Sequence, residues 1–326
     1  TFSAAVLTVG GLTQTLLFPR LVPAKDFALM GLLNVLLGLS AQLIDMGFSN
    51  AIIRESAISR ERLSSFYWVN VGIGLFCCAL VWIGADFLAA QFPKLPADVL
   101  SAAFRYIAPA FLLGALASQY QALLQKQLRF KLLAVIEIAS FLAGFVTALF
   151  LAFMGYGIMA LVAGTLAKVS ITALLLVGTG LREHVPQWRF DWLDIKPSLE
   201  FGAFQVMEKT VAYLAVNFDT LLITRLLAPE VSGVYEVTKR LLIQPWYFIN
   251  PVVTKVIYPV MAQVHEDVGR LRNIALRGIH LVSAINLPLY SACLLGADVL
   301  VPVLFGPKYV PSAIEPFRWL ALAFMV

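Results

Sequence analysis

Segment 236–258 combines charged residues with an otherwise apolar stretch of chain. At about 100° per residue, its polar side chains fall within an arc of roughly 160° on one side of a helix, opposite an apolar side. They include Glu236, Lys239, Arg240, Gln244 and Asn250. A charge that faces lipid is costly, so this stripe is expected to face a bundle interior or a watery cavity. Because Glu236 can neutralise only one of the two cations, the spacing predicts an anion-binding surface; a simple Glu236–Arg240 ion pair is the alternative.

Charged residues recur in other apolar segments. Lys168 and Lys209 add positive charge at the depth of two further predicted membrane spans. A cavity with surplus positive charge suits an anion, particularly a phosphate. Several carboxylates are candidate sites for coupling to protons or sodium ions, with structural hydrogen bonds or ion pairs as the alternative. They are Glu137, Glu208, Asp219 and Glu236.

The sequence lacks the motifs of common enzyme and metal sites. It contains no Walker A sequence, no HExxH and no Gly-x-Ser-x-Gly. Its cysteines, Cys77, Cys78 and Cys293, lie in apolar segments without metal-ligand spacing. We therefore predict no catalytic residue, no metal and no cofactor beyond a coupling ion.

Composition places these residues in a membrane protein. The 326 residues are 60% hydrophobic and 13% charged, with a mean hydropathy of +0.84. The apolar residues form segments of about 20, the length that crosses a bilayer core, and many such segments favour helices. We predict an all-α polytopic membrane protein. Its ten spans are predicted at 1–19, 27–53, 65–90, 100–123, 132–154, 157–180, 199–226, 231–259, 277–302 and 313–326.

The longest hydrophilic connection, at 181–200, follows the sixth span. It predicts an N-terminal lobe at 1–180, a linker at 181–198 and a C-terminal lobe at 199–326. Alternate loops carry twelve and seven Lys and Arg residues, which places the richer set, the linker and the N-terminus in the cytoplasm. The net charge of +5 then reflects cytoplasmic loops, and no nucleic-acid partner is predicted. Because the chain starts at Thr and ends inside an apolar run, we expect it to be a fragment with an incomplete second lobe.

An internal repeat supports two halves. The stretch "LLFPRLVPAKDFA" (16–28) aligns with "LLITRLLAPEVSG" (221–233) at a constant offset of 205 residues. The offset covers six predicted spans, so the two copies have the same orientation in the membrane. Parallel repeats of this kind occur in transporters, which often bind substrate between the halves.

Four stretches carry a resemblance to a known family. They are "QALLQKQLRFKLLAVIE" (121–137), "GYGIMALVAGTLAK" (155–168), "NFDTLLITRLLAPEVSGVYEVTKRLL" (217–242) and "YPVMAQVHED" (258–267). Together they resemble the Wzx-type polysaccharide flippases of the lipopolysaccharide and colanic-acid branch. That family belongs to the multidrug/oligosaccharidyl-lipid/polysaccharide (MOP) exporter superfamily.

The resemblance implies two six-helix lobes around a central cavity that opens alternately to the two sides of the bacterial inner membrane. It implies a transporter of a polyprenyl-diphosphate-linked oligosaccharide for surface polysaccharide biosynthesis, with polymerase machinery as a further partner. The cavity would then be lined by the polar and basic residues identified above. These are Lys168, Lys209, Lys239, Arg240, Gln244 and Asn250.

Other functions remain open on the sequence. A drug exporter of the same superfamily would usually carry cations, for which an acidic cavity is expected. A membrane glycosyltransferase or polymerase would need catalytic acids or bases on a sizeable outside loop, and the predicted outside loops are short. A scaffold or lipid-binding membrane protein is the third alternative.

Overall fold

A computed structural model describes residues 2–45, 47–55, 58–188, 190–246, 253, 257, 260–261, 264, 267–306 and 309–325. Regular secondary structure in these residues is helical throughout. The helices are α1 Phe2–Leu21, α2 Ala24–Asp45, α3 Phe48–Arg54, α4 Arg60–Ala90, α5 Ala97–Ile107, α6 Pro109–Lys126, α7 Phe130–Phe153, α8 Ile158–Gly180, α9 Trp192–Leu226, α10 Pro229–Leu242, α11 Val268–Leu295, α12 Ala297–Phe305 and α13 Val310–Met325.

Six helical segments of the described chain are long and apolar enough to cross a membrane. They are Ala24–Ile44, Arg60–Ala90, Ala97–Lys126, Phe130–Phe153, Ile158–Gly180 and Val268–Leu295. This confirms an all-α, multi-pass membrane protein. The other predicted spans fall on helices α1, α9, α10 and α13 and stay predictions.

Three predicted spans have corrected limits. The span predicted at 277–302 begins earlier, at Val268, and ends at Leu295, because Gly296 separates α11 from α12. The span predicted at 27–53 is interrupted, because Gly47 adopts a left-handed φ of 72° between α2 and α3, a conformation that glycine tolerates at little steric cost. The span predicted at 100–123 begins earlier, at Ala97, and is divided at Pro109 into α5 and α6. Proline suits the first turn of a helix, where its missing N–H is not needed.

Polar caps explain where two long helices begin. The Ser59 hydroxyl accepts a hydrogen bond from the Arg62 backbone amide at 3.2 Å, and α4 begins at the next residue, Arg60. The Asp267 carboxylate accepts from the Arg270 amide at 2.9 Å at the start of α11. Each cap satisfies a backbone donor that has no partner within the helix.

Contacts between residues divide the chain into two compact units. Unit 1 comprises Thr1–Gln14 and Leu21–Ser232, and unit 2 comprises Thr15–Arg20 and Gly233–Val326. Helix α9 packs against α2 and α4 within unit 1. The lobes predicted at 1–180 and 199–326 follow a different criterion and stay a prediction, as does the internal repeat.

Helices α7 and α8 form the most extensive helix pair of unit 1 and meet through small residues. A Cβ added to Gly144 would lie 2.6 Å from the Gly164 carbonyl oxygen. A Cβ added to Gly164 would lie 2.5 Å from the Ala148 Cβ. Small residues let membrane helices approach until their backbones are in contact, which compensates for the weak hydrophobic drive within lipid.

Candidate functional site

Helix α10 carries the basic stripe of unit 2. Its buried side holds Val234, Val237 and Leu242, each at most 3% exposed. Lys239 and Arg240 lie on the opposite side and are half-buried. Helix α10 ends at Leu242, and the predicted polar stripe of segment 236–258 stays a prediction.

Local contacts involve the Lys239 side chain and the Arg240 backbone of α10. The Lys239 Nζ lies 5.9 Å from the centroid of the Tyr235 ring, a distance at which an ammonium is attracted to an aromatic face. The Gln244 amide donates to the Arg240 carbonyl oxygen at 3.2 Å, just beyond the end of the helix. Glu236 is half-buried on the same side of α10, whereas Asn250 lies outside the described residues.

The remaining predicted site residues lie in unit 1. Lys168 is an exposed residue of α8, and its Cβ would be 2.8 Å from a Cβ built on Gly144. Helix α9 carries the half-buried Lys209 and Asp219 together with the exposed Glu208, and Glu137 is exposed on α7. The structure thus groups Glu236, Lys239, Arg240 and Gln244 on one short segment and distributes the others over three helices. Their roles stay predictions.

The linker is attached to the N-terminal part of α4. Ser64 and Ser65 of α4 are fully buried, and their hydroxyls accept the backbone amides of Gln187 and Asp191 at 2.9 and 3.1 Å. The Trp68 indole donates to the Gln187 carbonyl at 2.9 Å. These bonds hold the linker to α4 through the linker backbone. A side-chain contact adds to them, because Trp188 stacks on Trp68 with ring centroids 4.5 Å apart.

Two titratable residues lie at the start of the linker, outside the membrane spans. Hydrogen bonds from Gln127 and Arg129 hold the pKa of the Glu183 carboxyl below its usual range. Burial, with Arg60 nearby, lowers the pKa of His184 below that of free histidine. Both shifts favour the form that is present at neutral pH, a charged carboxylate and an uncharged imidazole.

Sequence reasoning missed one polar cluster. Ser118, Gln121 and Gln125 of α6 line a cavity of about 500 Å³ within unit 1. Their spacing of three and four residues was available as a signal, because it places all of them on one side of a helix. An uncharged polar residue in a membrane span often makes an interhelical hydrogen bond, so it is a weaker sign of a site than a lysine.

The described residues contain no group of three or more His, Cys, Asp or Glu side chains that could hold a metal ion. Cys77, Cys78 and Cys293 are free thiols in the structure. The predicted absence of a metal and of a cofactor rests on the sequence.

Taken together, the fold and its long apolar helices define an all-α, multi-pass membrane protein. The chain belongs to the Polysaccharide biosynthesis protein family, whose profile matches residues 17–314. This confirms the resemblance to polysaccharide exporters that the sequence indicates.

Two named relatives match most of this chain. The chain is 29% identical over 307 residues to the lipopolysaccharide biosynthesis protein WzxC of Escherichia coli strain K12, covering 94% of this chain and 62% of WzxC. It is 29% identical over 269 residues to the teichuronic acid biosynthesis protein TuaB of Bacillus subtilis strain 168, covering 82% of this chain and 55% of TuaB. The chain therefore spans less than two thirds of the length of these relatives.

Solved structures share the fold. The structure of the lipid II flippase MurJ in an inward closed conformation aligns with a TM-score of 0.77 at 12% identity, over 99% of this chain and 72% of that chain. A multidrug resistance MATE family transporter of the MOP superfamily, in an inward-facing conformation, gives 0.72 at 16% identity, over 99% and 78%. At these identities the likeness establishes the fold alone, and it confirms the predicted MATE-like class.

Proposed function

We propose that this chain is the greater part of a flippase for a polyprenyl-diphosphate-linked oligosaccharide. The flippase would move its substrate from the cytoplasmic to the outer leaflet of the bacterial inner membrane, for surface polysaccharide biosynthesis. The observation that carries the proposal is the family match over residues 17–314, on a fold that a lipid II flippase also has. The protein acts as a transporter, with no catalytic residue, and its N-terminus is cytoplasmic.

The polar side of α10 supplies the chemistry that this substrate needs. A diphosphate is strongly disfavoured in hydrocarbon unless its charge is paired and hydrogen-bonded. Arg240 can donate two parallel hydrogen bonds to phosphate oxygens, and Lys239 adds a compact positive charge. Both are half-buried, which excludes part of the screening water. Lys168, Lys209, Gln244 and Asn250 extend the proposed path.

Alternating access requires a source of free energy. We propose a proton or sodium gradient, with Glu137, Glu208, Asp219 and Glu236 as candidate coupling sites. A carboxylate in a low-dielectric environment binds a proton or a sodium ion more readily than one in water. Polysaccharide polymerase machinery on the outer face would receive the flipped product.

A MATE-like drug exporter is the second candidate, and its support is the shared fold. The basic character of α10 argues against cationic drugs, because like charges repel the ligand. Under this alternative, reversing the charge of Arg240 would improve cation export. A glycosyltransferase or polymerase is the weaker alternative, and new glycosidic bonds made by the purified full-length protein would support it.

The test is deletion of the gene in its own host. Lipid-linked sugars are followed by mass spectrometry while the surface polysaccharide is measured in parallel. The strain is complemented with the full-length wild type, with Arg240→Ala, or with Lys94→Ala as a matched control. Lys94 is an exposed cation in the connection between α4 and α5, away from the proposed path.

The flippase is supported if the deletion strain accumulates lipid-linked repeats and loses surface polymer. Wild type and Lys94→Ala should both reverse these changes. A charge-assisted hydrogen bond contributes about 1.5–3 kcal/mol, so Arg240→Ala is expected to slow export about 10- to 100-fold. Unchanged polymer without precursor accumulation would count against the proposed function. Full export by both Arg240→Ala and Lys209→Ala at normal expression would remove the proposed basic path.

A further inference from the structure

Unit 1 contains a cavity that the proposed diphosphate path does not use. This α6 cavity, about 500 Å³ in volume, is lined by residues of α2, α3, α6 and α8. Pockets that bind small molecules are commonly of this size. Its lining includes Leu37, Ile44, Phe111, Ser118, Gln121 and Gln125.

The two sides of the α6 cavity differ in chemistry. Helix α2 contributes only apolar side chains, among them Leu37 and Ile44. Helix α6 contributes the polar Ser118, Gln121 and Gln125 beside apolar residues such as Phe111. None of the described residues that line the cavity is charged. An anion such as a diphosphate would therefore lose its hydration there without gaining a counter-charge.

The polar side suits hydroxyl groups. A glutamine amide offers one acceptor oxygen and two N–H donors, and a hydroxyl is both donor and acceptor. Gln121 is exposed and Gln125 is half-buried, so both amides are accessible to a ligand that enters the cavity. A sugar ring offers hydroxyl groups around its edge and apolar C–H faces, which matches a cavity with one polar and one apolar side.

A buried residue fixes the third polar group. Asn70 of α4 is 2% exposed, and its Nδ2 donates to the Ser118 Oγ at 3.1 Å. The same hydroxyl donates to the Ala115 carbonyl at 3.1 Å. The proton of Ser118 is therefore directed away from the cavity, and its hydroxyl can offer only acceptor capacity to a ligand. Pre-organised polar groups lower the free-energy cost of binding.

We propose that the α6 cavity binds the neutral, hydroxyl-rich part of the lipid-linked oligosaccharide. This inference rests on the proposed function and adds a subsite for the sugar to it. Gln125 directly precedes Lys126 and the basic loop that the distribution of Lys and Arg assigns to the cytoplasm. The polar side of the cavity therefore lies toward the leaflet from which the substrate is loaded.

The experiment compares two lipids that differ only in the sugar. Purified full-length protein is titrated with sugar-free undecaprenyl diphosphate and with the lipid-linked oligosaccharide extracted from the deletion strain. The variants are Gln121→Leu, Gln125→Leu and their combination. Gln187→Leu is the matched control, because that exposed glutamine of the linker does not line the cavity.

Each leucine variant is expected to raise the Kd of the sugar-bearing lipid about 2- to 10-fold, the range for loss of one neutral hydrogen bond. The Kd of undecaprenyl diphosphate and all values for Gln187→Leu should stay at the wild-type level. Gln121→Asn and Gln125→Asn keep an amide but shorten its reach, so they preserve folding and should show a smaller loss.

Unchanged binding of the sugar-bearing lipid by the double variant would overturn the proposed subsite. An equal loss of affinity for both lipids would also overturn it, because the residues would then act on the diphosphate, the tail or the fold. If wild type binds both lipids, the proposed function keeps its support whatever the variants do. If wild type binds neither, the proposed function fails first and the subsite fails with it.

Discussion

Replacing Gly164 by alanine should loosen the α7–α8 pair, and its geometry sets the size of the effect. The new Cβ would lie 2.5 Å from the Ala148 Cβ and 2.7 Å from the Gly144 carbonyl oxygen. The carbonyl belongs to the backbone and the methyl group has no other rotamer, so neither atom can move aside alone. The helices must separate by roughly 1 Å to restore normal contact distances.

Overpacking of this kind costs about 1–3 kcal/mol. Alanine also gains about 0.5–1 kcal/mol over glycine in a helix interior. The net destabilisation is therefore between about 0 and 2.5 kcal/mol. For a domain of 150–250 residues, each kcal/mol lowers Tm by about 2–4 °C, so Gly164→Ala should lower the apparent Tm by up to about 10 °C.

The assay is thermal unfolding of the purified full-length protein in detergent, followed by loss of the monodisperse peak in size-exclusion chromatography. Gly72→Ala is the control, because Gly72 lies inside α4 and a Cβ there meets nothing within 4 Å. This control should have an unchanged or higher Tm, since only the helix-propensity gain applies. The reasoning is refuted if Gly164→Ala is at least as stable as Gly72→Ala.

Three further predictions concern the linker and unit 2. Protection of the linker amides from hydrogen exchange, corrected for intrinsic rates, should fall as the pH drops below 6.5. The first cause is His184, whose pKa is lower in the attached linker than in the detached one, so protonation favours detachment. At still lower pH, protonation of Glu183 removes the charge that Gln127 and Arg129 stabilise. Glu183→Gln should remove the part of this loss that occurs at the lowest pH, and an unchanged profile would contradict it. Ser64→Ala should increase exchange at Gln187 while leaving amides in the middle of α7 protected; equal protection would show that the hydroxyl does not hold the linker. Tyr290→Phe should cost about 0.5–1.5 kcal/mol in thermal unfolding, because the buried hydroxyl donates to the Leu242 carbonyl at 2.8 Å, and an unchanged Tm would refute this.

The sequence predicts most of the described membrane helices because each requirement is local. A length of about 20 apolar residues and a short polar connection suffice to place a span. An error arises where one residue overrides an apolar run, because the φ of Gly47 divides the span predicted at 27–53. Hydropathy does not report this event, since it depends on backbone conformation and not on transfer from water.

The candidate site also has a predictable part and an unpredictable part. The basic side of α10 is predictable because Lys239 and Arg240 are charged residues in an apolar segment and fall on its polar side at helical spacing. The polar side of the α6 cavity is visible only after folding, since Gln121 and Gln125 become a site by facing α2 across an open space. A glutamine that closes that space with an interhelical hydrogen bond would have the same sequence signal.

The two polar surfaces differ in a way that a two-part ligand explains. The α10 surface presents cations, which suit a diphosphate, and the described lining of the α6 cavity presents neutral amides and hydroxyls, which suit a sugar. A cationic cavity alone would bind any polyprenyl diphosphate, because the charge is common to all of them. Neutral hydrogen bonds contribute less free energy, but they are lost when the hydroxyl pattern changes, and an unpaired amide in a partly desolvated site is costly. Substrate selection should therefore depend more on Gln121 and Gln125 than on Arg240, whose replacement should weaken the binding of all lipid diphosphates alike.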